Sequence, residues 1–347
     1  MEEHELPGRP TIRDIAGIAG VSHSTVSRAL NNNPLISSST RERIRRIADR
    51  MGFEFNEGAR RLKNRRTGII GVIYFSELND FRSSLYTNEL FRDLRHNLEK
   101  AGLDALIVEA WNGRTQQSNI PRLIRQNKVD GFIIIHPEIP EEDYSLIRDY
   151  NLPIVHVHAA PGLISRESVD CFFTDNYEGG RLAGEHLVAS GCRNVQVVGI
   201  NETDSEEFRL RTAGFLDAVK NAGCSVDDEY RLSCGCSYEG GFHLAGENRR
   251  YLEKLDGIFI PADIAAFGFL NALREDGFSV PGDLKIIGYD DSPVSRMSLP
   301  SLTTVHQPRE ELTGKACRRM RFLLYEDPGA EPVLEYIRPR IISREST

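Results

Sequence analysis

From Ile69 onward the sequence alternates short apolar runs with helical stretches. Apolar runs rich in Ile and Val between amphipathic stretches are typical of parallel strands joined by crossover helices. The pattern predicts a doubly wound α/β architecture with parallel sheets in two lobes. We expect the first lobe over residues 69–160 and the second over 161–290, with later segments crossing between them. The runs are IIGVIYF, ALIVEA, GFIIIH, PIVHVHA, VQVVGI, GIFIPA and LKIIGYDD.

The same alternation is found in dinucleotide-dependent dehydrogenases, which are the strongest competing class. Such an enzyme needs a glycine-rich turn directly after its first strand, so that the backbone can approach a pyrophosphate. That strand is followed here by SELNDFRSS. The sequence also contains no P-loop, Gly-x-Ser-x-Gly elbow or His-Glu-x-x-His motif. We therefore expect no enzyme activity, no catalytic residues and no cofactor.

Charge is distributed unevenly along the 347 residues. Residues 1–66 carry 13 Lys and Arg against 8 Asp and Glu, a net charge of +5, and the rest of the chain carries −13. A basic head on an acidic body favours a small phosphate-binding module attached to a domain that avoids nucleic acid.

The N-terminus lacks the apolar core of a signal peptide, and no apolar run approaches the roughly 20 residues of a membrane helix. We expect a cytoplasmic protein with no membrane association.

Six cysteines are scattered through the acidic part, and we interpret them as reduced structural thiols. A metal or redox site at Cys234 and Cys236 is the alternative. The His-Val-His sequence from His156 to His158 could suggest a metal pair, but a histidine in a central strand is more often structural. We predict no metal site.

Residues 11–30 carry the pattern of two short helices around a tight turn. Thr11 can cap the first helix, and Asp14 follows it three residues later in the first turn. Gly20 can take the left-handed conformation that ends this helix. Ser22 can cap the second helix, whose inner face carries Val26. Its outer face is small and polar, as suits the major groove, where an arginine pairs well with guanine. A solvated surface is the alternative. The outer residues are His23, Ser24, Thr25, Ser27 and Arg28.

A third helix follows SSST, with an apolar stripe that includes Ile44 and Ala48 and several arginines around it. Gly52 ends it. Three short helices with a glycine-containing turn between the first two predict an all-α helix-turn-helix domain over residues 9–54.

The stretch from Thr11 to Leu62, with AGVSHSTVSRALN, TRERI and FNEGARRL, closely resembles the N-terminal region of the lactose repressor/galactose repressor (LacI/GalR) family of bacterial regulators. The resemblance implies that His23, Ser24 and Arg28 face the bases. It implies phosphate or groove-edge contacts for the other DNA-binding positions of this domain, which are Thr11, Ser22, Thr25, Ser27 and Asn31.

Residues 55–67 form a basic segment without an apolar stripe, and we expect it to be a hinge or linker before a core over 68–347. By resemblance it becomes helical only when two copies pair on DNA, and Leu62 is inserted into the minor groove as a wedge. Phe55 and Gly58 depart from the family's usual Pro and Ala. A basic flexible linker is the alternative. The hinge residues expected to bind DNA are Asn56, Ala59, Arg60 and Leu62.

The core resembles the same family's periplasmic-binding-protein-like sensor, through DNYEGGRLAGEHL, RLRTAGF, IPADIAAFGFLNALREDGFSVPGDLKIIGYDD and LPSLTTVHQP. The resemblance implies a small effector, a sugar or sugar derivative, between the lobes. An arginine facing a carboxylate supplies donors and acceptors for a polyol. Phe75 or Trp111 could stack on the ligand, although core packing is the simpler expectation. The expected effector-binding residues are Phe75, Glu178, Arg211, Asp263, Asp290 and Gln307.

Two departures limit the sugar interpretation. Ala262 stands where the family commonly has Asn, and Cys236 where an aromatic often stacks on the ligand, so the ligand could be smaller. By resemblance the chain is a repressor that binds a palindromic operator as a homodimer, and effector binding shifts its DNA affinity. The tail after Arg340 has no heptads, so no coiled-coil tetramer is expected. A sugar-binding protein without a DNA role is the remaining alternative.

Overall fold

The computed structural model describes residues 10–30, 33–53, 66–74, 85–135, 139–158, 166–200, 205–227 and 229–347. The chain divides into two compact units, with the division between Arg66 and Thr67. Most of the expected hinge and several expected site residues lie outside the described residues. These are the DNA-binding residues Asn31, Asn56, Ala59, Arg60 and Leu62 and the stacking residue Phe75.

The described residues of the first unit form three helices around one small apolar core. The core joins Ile15, Val26 and Ile44, one from each helix, all fully buried. Arg43 of the third helix donates through Nη2 to the carbonyl of Ala19 at the end of the first, which ties these two helices together. The predicted helix-turn-helix is confirmed, with helices α1 (Ile12–Ala19), α2 (His23–Leu30) and α3 (Ser38–Arg50).

The second unit has two lobes, and the first lobe is built on a six-stranded sheet of order β12-β5-β4-β3-β1-β2, parallel throughout. Its strands are β1 (Ile69–Tyr74), β2 (Asp104–Glu109), β3 (Gly131–Ile134), β4 (Ile154–Val157), β5 (Asp170–Thr174) and β12 (Leu334–Ile337). Its helices are α4 (Leu85–Lys100), α5 (Asn119–Arg125), α6 (Glu141–Asp149) and α13 (Arg309–Tyr325). Ile133 packs beneath α4 and α13, whereas Ile134 packs beneath α5 and α6, because successive strand residues face opposite sides.

The second lobe is built on a five-stranded sheet of order β13-β11-β10-β9-β6, parallel except for the edge strand β13. Its strands are β6 (Val195–Val197), β9 (Gly257–Phe259), β10 (Lys285–Asp290), β11 (Thr303–His306) and β13 (Arg340–Ile342), with a separate small pair β7 (Gly199–Ile200) and β8 (Ser233–Cys234). Its helices are α7 (Asn176–Ala189), α8 (Glu206–Asn221), α9 (Tyr238–Glu247), α10 (Arg249–Leu252), α11 (Asp263–Glu275) and α12 (Pro293–Met297).

The doubly wound two-lobed architecture is confirmed, but the expected lobe boundary near residue 160 is wrong. Strand β5 completes the first sheet, so the chain first crosses after Thr174. It crosses back after His306 to form α13 and β12, and again after Ile337 to form β13. The expectation that Trp111 packs in the core is also wrong, because Trp111 follows the edge strand β2 and is 38% exposed.

Helices α7 and α8 approach so closely that their backbones touch at two glycines. A Cβ atom on Gly180 would lie 1.9 Å from the carbonyl oxygen of Arg211, and one on Gly214 would lie 2.0 Å from that of Tyr177. Only glycine permits this approach. The close crossing fixes the backbone at Arg211 against the start of α7.

We predict that Gly180→Ala separates α7 from α8 and destabilises the protein by about 1–3 kcal/mol, the usual effect of overpacking. Thermal denaturation measures the effect. Gly246→Ala is the matched control, because a Cβ at this exposed position of α9 meets no atom within 4 Å. It should be neutral or stabilise the helix by about 0.5–1 kcal/mol. Equal melting temperatures for the two variants would contradict the close crossing.

Candidate DNA-reading helix and effector cleft

Both ends of α1 are capped as the sequence predicts. Thr11 and Asp14 form a reciprocal capping box, in which the Thr11 backbone N–H donates to Asp14 Oδ2 at 2.7 Å. Gly20 takes the left-handed conformation, with φ of 61°, and ends the helix. These caps fix where the turn to α2 begins.

Helix α2 presents a polar outer face to solvent. Ser22 Oγ accepts from the backbone N–H of Thr25 at 3.1 Å and also lies 2.8 Å from the hydroxyl of Ser24. His23, Ser24 and Arg28 are exposed, Thr25 and Ser27 are half-buried, and Val26 and Ala29 are buried against the other two helices. The three expected base-facing side chains therefore share the face that the core leaves open.

Several of the expected effector residues lie close together, and we call this group the effector cluster. It centres on the guanidinium of Arg211, which is only 3% exposed. Its Nε donates to Asn176 Oδ1 at 2.8 Å and its Nη1 to the carbonyl oxygen of Pro261 at 2.9 Å. The guanidinium carbon lies 3.8 Å from the centroid of the Tyr289 ring, and Nη1 lies 3.8 Å from Asp290 Oδ1. The crossing of α7 and α8 thus holds Arg211 beside the carboxyl end of β10.

Asp290 joins this cluster to two of the chain crossovers. Its Oδ1 accepts from Gln307 Nε2 at 2.7 Å, and Gln307 Oε1 in turn accepts from Thr174 Oγ1 at 3.0 Å. Arg309 Nη1 donates to the backbone carbonyl of Asp290 at 3.3 Å. Asp290 has φ of 121°, a strained conformation for a residue with a side chain and one that often marks functional sites.

The structure brings together three of the expected effector residues, Arg211, Asp290 and Gln307. Asp263 adjoins them through a backbone hydrogen bond to Asp290, whereas Glu178 pairs with other residues. Asp263 is fully buried, with Oδ2 accepting from the Ser292 backbone N–H at 2.8 Å and Oδ1 from Thr304 Oγ1 at 2.6 Å. It supports the loop after β10. Glu178 accepts hydrogen bonds from Arg181 and Arg338, whose guanidiniums occupy its carboxylate.

Sequence reasoning missed Asn176 and Tyr289, which position Arg211. Tyr289 also donates its hydroxyl hydrogen to Asn176 Oδ1 at 3.1 Å, and a side chain at Gly179 would collide with that hydroxyl. Asn176 lies within the quoted DNYEGG segment, and Tyr289 directly precedes Asp290. Their adjacency to motif residues was the available signal.

Tyr86, near the start of α4, is a further polar group at the cleft that the sequence did not reveal. The side chain is 8% exposed, and its hydroxyl has no hydrogen-bond partner among the described residues. Burial and the nearby charge of Asp290 raise its pKa. The ring lies 4.8 Å from that of His158, which follows β4. A buried hydroxyl without a partner is available to a bound molecule.

His158 and Glu207 face each other from the two lobes. Burial lowers the pKa of His158 to about 4 against the opposing effect of Glu207, so the ring is neutral near pH 7. Burial alone would raise the pKa of Glu207, but the facing His158, which is protonated only at acid pH, and a hydrogen bond from Ser205 lower it. His156, by contrast, is a structural histidine, because its ring is fully buried in β4 and its Nε2 lies 3.1 Å from the Tyr144 hydroxyl.

The six cysteines are free thiols, and Cys236 is half-buried. Among the residues that the structure describes, no group of three or more His, Cys, Asp or Glu side chains is arranged to hold a metal ion. Within the same residues, no helix combines the length and the apolar character needed to cross a membrane.

The comparisons with known proteins agree with this arrangement. Residues 11–56 match the family model of bacterial regulatory proteins, lacI family, and residues 185–347 match that of the periplasmic binding protein-like domain. The HTH-type transcriptional repressor PurR of Salmonella arizonae is 29% identical over 338 residues, which cover 97% of this chain and 96% of that one. The chain belongs to the LacI/GalR family of transcriptional regulators.

Two solved structures show a similar fold over most of the chain. The lac repressor dimer bound to operator and the anti-inducer ONPF has a TM-score of 0.75 at 22% identity, covering 98% of this chain and 99% of that one. A LacI family regulator from Enterococcus faecium with bound ribose has a TM-score of 0.68 at 25% identity, covering 80% and 98%.

We predict that Tyr86→Phe raises the melting temperature of the protein measured without added ligand. It removes a buried hydroxyl that has no partner among the described residues, and such a group costs about 1–3 kcal/mol. Tyr144→Phe makes the same chemical change where the hydroxyl contacts His156, so it should lower the melting temperature. Differential scanning calorimetry compares the two. A Tyr86→Phe variant that is destabilised as much as Tyr144→Phe would show that the Tyr86 hydroxyl is already satisfied.

Asp290 yields a pH-dependent prediction. Burial raises the pKa of its carboxyl to about 6, above the ordinary value of 3.8, so ionised Asp290 is less favourable in the folded than in the unfolded protein. This cost is present above about pH 6 and is lost as the pH falls through that value. Asp290→Asn removes this pH-dependent cost, although at every pH it also takes the carboxylate away from Arg211. The melting temperature of the variant relative to the parent should therefore be higher at pH 8 than at pH 5, by about 2–5 °C.

The measurement is the difference in melting temperature between variant and parent at each pH, which cancels the titration of other groups. Asp149→Asn, at an exposed position of α6, is the control and should show no such difference. A difference for Asp290→Asn that stays constant from pH 8 to pH 5 would contradict the raised pKa.

Proposed function

We propose that the protein is a ligand-responsive transcriptional repressor that binds a palindromic operator as a homodimer. A small molecule, a sugar or sugar derivative, binds between the lobes and changes its operator affinity. The observation that carries the proposal is that one chain contains both features. Helix α2 is capped and exposes a polar face, and a buried Arg211–Asp290 pair lies at the carboxyl ends of strands. Open α/β sheets bind ligands at such strand ends.

For DNA, we propose that α2 enters the major groove of each half-site. His23, Ser24 and Arg28 read base edges, and Arg28 is suited to guanine O6 and N7. The remaining residues contact phosphates or groove edges, and the hinge contacts the minor groove, with Leu62 as the wedge. These remaining residues are Thr11, Ser22, Thr25, Ser27, Asn31, Asn56, Ala59 and Arg60.

For the effector, we propose Arg211, Asp290 and Gln307 as the polar contacts from the second lobe and its crossover, and Tyr86 as a contact from the first lobe. Phe75 remains a candidate for stacking. Asp263 acts indirectly, because Thr304 and Ser292 occupy its oxygens. The ribose held by the Enterococcus faecium relative supports a sugar as the ligand class. A polyol would complement the free donors and acceptors of the cluster.

For assembly, we propose that the second lobe contributes to the dimer interface. Met297 is 74% exposed and Leu299 is 70% exposed, two residues apart at the end of α12. Large apolar side chains that are this exposed and this close together favour a protein partner, and a second copy is the partner that a palindrome requires.

Operator binding further implies a cytoplasmic location. The relatives named above are regulators rather than enzymes, which supports the absence of catalysis.

The proposal predicts tight, salt-dependent binding to a palindromic operator selected from random DNA, and weaker binding to its half-site. Arg28→Ala should reduce the preference for the selected sequence by about 1–3 kcal/mol, because it removes a base contact. Arg60→Ala also removes one positive charge, but it should mainly lower the slope of affinity against salt concentration. Fluorescence anisotropy titrations measure both quantities.

The reverse pattern for these two variants would contradict the proposed docking of α2. Equal affinity for palindrome and half-site would contradict the dimer. Ligand binding without any DNA selection would favour a sugar-binding protein with no DNA role, and binding of NAD would favour a dehydrogenase.

A further inference from the structure

The first turn of α8 meets the first lobe through an ion pair that the effector cluster does not include. Glu206, the first residue of α8 in the second lobe, accepts a hydrogen bond from Nη2 of Arg166. Arg166 lies in a short 3-10 turn, Arg166–Ser168, directly before strand β5 of the first sheet. The pair therefore joins the two lobes side chain to side chain, in addition to the three crossovers of the backbone.

Arg166 is also held within its own lobe. Its Nη1 donates to the hydroxyl of Tyr336 at 3.3 Å, and Tyr336 belongs to β12, the strand paired with β5. The guanidinium thus uses one nitrogen for the first lobe and another for the second. An arginine fixed at one end loses less side-chain freedom when its ion pair forms than a free surface arginine does.

The pair is neither buried nor fully exposed. The side chains of Arg166 and Glu206 are 31% and 35% exposed. At this exposure the two charges remain partly hydrated, so the ion pair is weak. When it breaks, neither charge is left unpaired in the protein interior. Such a contact can open and close on the timescale of a lobe motion, and added salt weakens it.

We propose that Arg166 and Glu206 form a reversible clasp that holds the two lobes together in the absence of effector. Helix α8 carries both the clasp at Glu206 and the effector contact at Arg211, so closing the clasp brings the effector-binding helix to the first lobe. The clasp sets how often the cleft opens, whatever the identity of the effector.

Hydrogen–deuterium exchange of the full-length protein without effector tests the clasp, because cleft opening exposes the first turns of α8 and the end of β4. Arg166→Met keeps the aliphatic stem and removes the charge, and Glu206→Gln keeps the size of the side chain. We expect each to raise exchange over residues 205–211 by about two- to fivefold, the range of a partly exposed ion pair. Added NaCl at about 1 M should have the same effect on the parent.

The double variant distinguishes a clasp from two local effects. If the residues act as a pair, Arg166→Met with Glu206→Gln should exchange no faster than either single variant, whereas independent effects would multiply. Tyr336→Phe should give a smaller increase, since it only loosens the anchor of Arg166. Arg148→Ala is the control, because its pair with Glu141 lies within one helix of the first lobe and is more exposed, so exchange at α8 should not change.

Single variants that exchange like the parent, or a double variant whose effect is the product of the two single effects, would overturn the proposal. Loss of operator selection in the anisotropy titrations would overturn the proposed function but not the clasp, because exchange at the cleft is measured without DNA.

Discussion

The buried guanidinium of Arg211 is the group on which the sensor cleft depends. A charge that is 3% exposed must be matched by hydrogen bonds and an opposite charge, or its burial is strongly unfavourable. Asn176, the carbonyl of Pro261, and the ring face of Tyr289 with the carboxylate of Asp290 provide that match from three different segments of the second lobe. Three segments held by one cation have little freedom to move separately, so they form a preorganised half of the proposed binding site.

Backbone packing is what makes this arrangement possible. Gly180 and Gly214 allow α7 and α8 to touch, which brings Asn176 of one helix within hydrogen-bonding distance of Arg211 of the other. Gly179 leaves room for the Tyr289 hydroxyl in the same way. The first lobe, by contrast, offers Tyr86 with a hydroxyl that has no partner among the described residues. The polar groups of one wall of the cleft are therefore matched within the second lobe itself, whereas the opposite wall carries a buried hydroxyl that is not matched by any described residue.

Much of the fold could be predicted because local patterns determine it. The caps at Thr11 and Gly20 and the apolar strands each reflect a preference of a few adjacent residues, and the structure contains them. The lobe boundary could not be predicted, because whether Asp170–Thr174 joins the first or the second sheet depends on pairing with β4 and with β12, a strand more than 150 residues later. Strand β13 could not be predicted for the same reason, since it is an edge strand defined only by its antiparallel partner β11.

The site shows the same division between local pattern and tertiary context. Arg211, Asp290 and Gln307 stand in recognisable motifs and lie together, but Asp263 and Glu178 stand in equally recognisable motifs and have their carboxylates occupied by other residues. Residue type shows that a carboxylate is present, whereas its partners decide whether it is free to bind a ligand.

The chain of hydrogen bonds from Asp290 gives a physical route by which a ligand could change the relation between the lobes. Asp290 is bonded to Gln307, and Gln307 to Thr174, and these two residues lie at the crossovers where the backbone passes from one lobe to the other. The strained φ of Asp290 is maintained by these contacts and by Arg309, which reaches its carbonyl from the start of a first-lobe helix. A ligand that takes over the carboxylate competes with Gln307 for the same oxygen, so it acts directly on the crossovers rather than through a distant path.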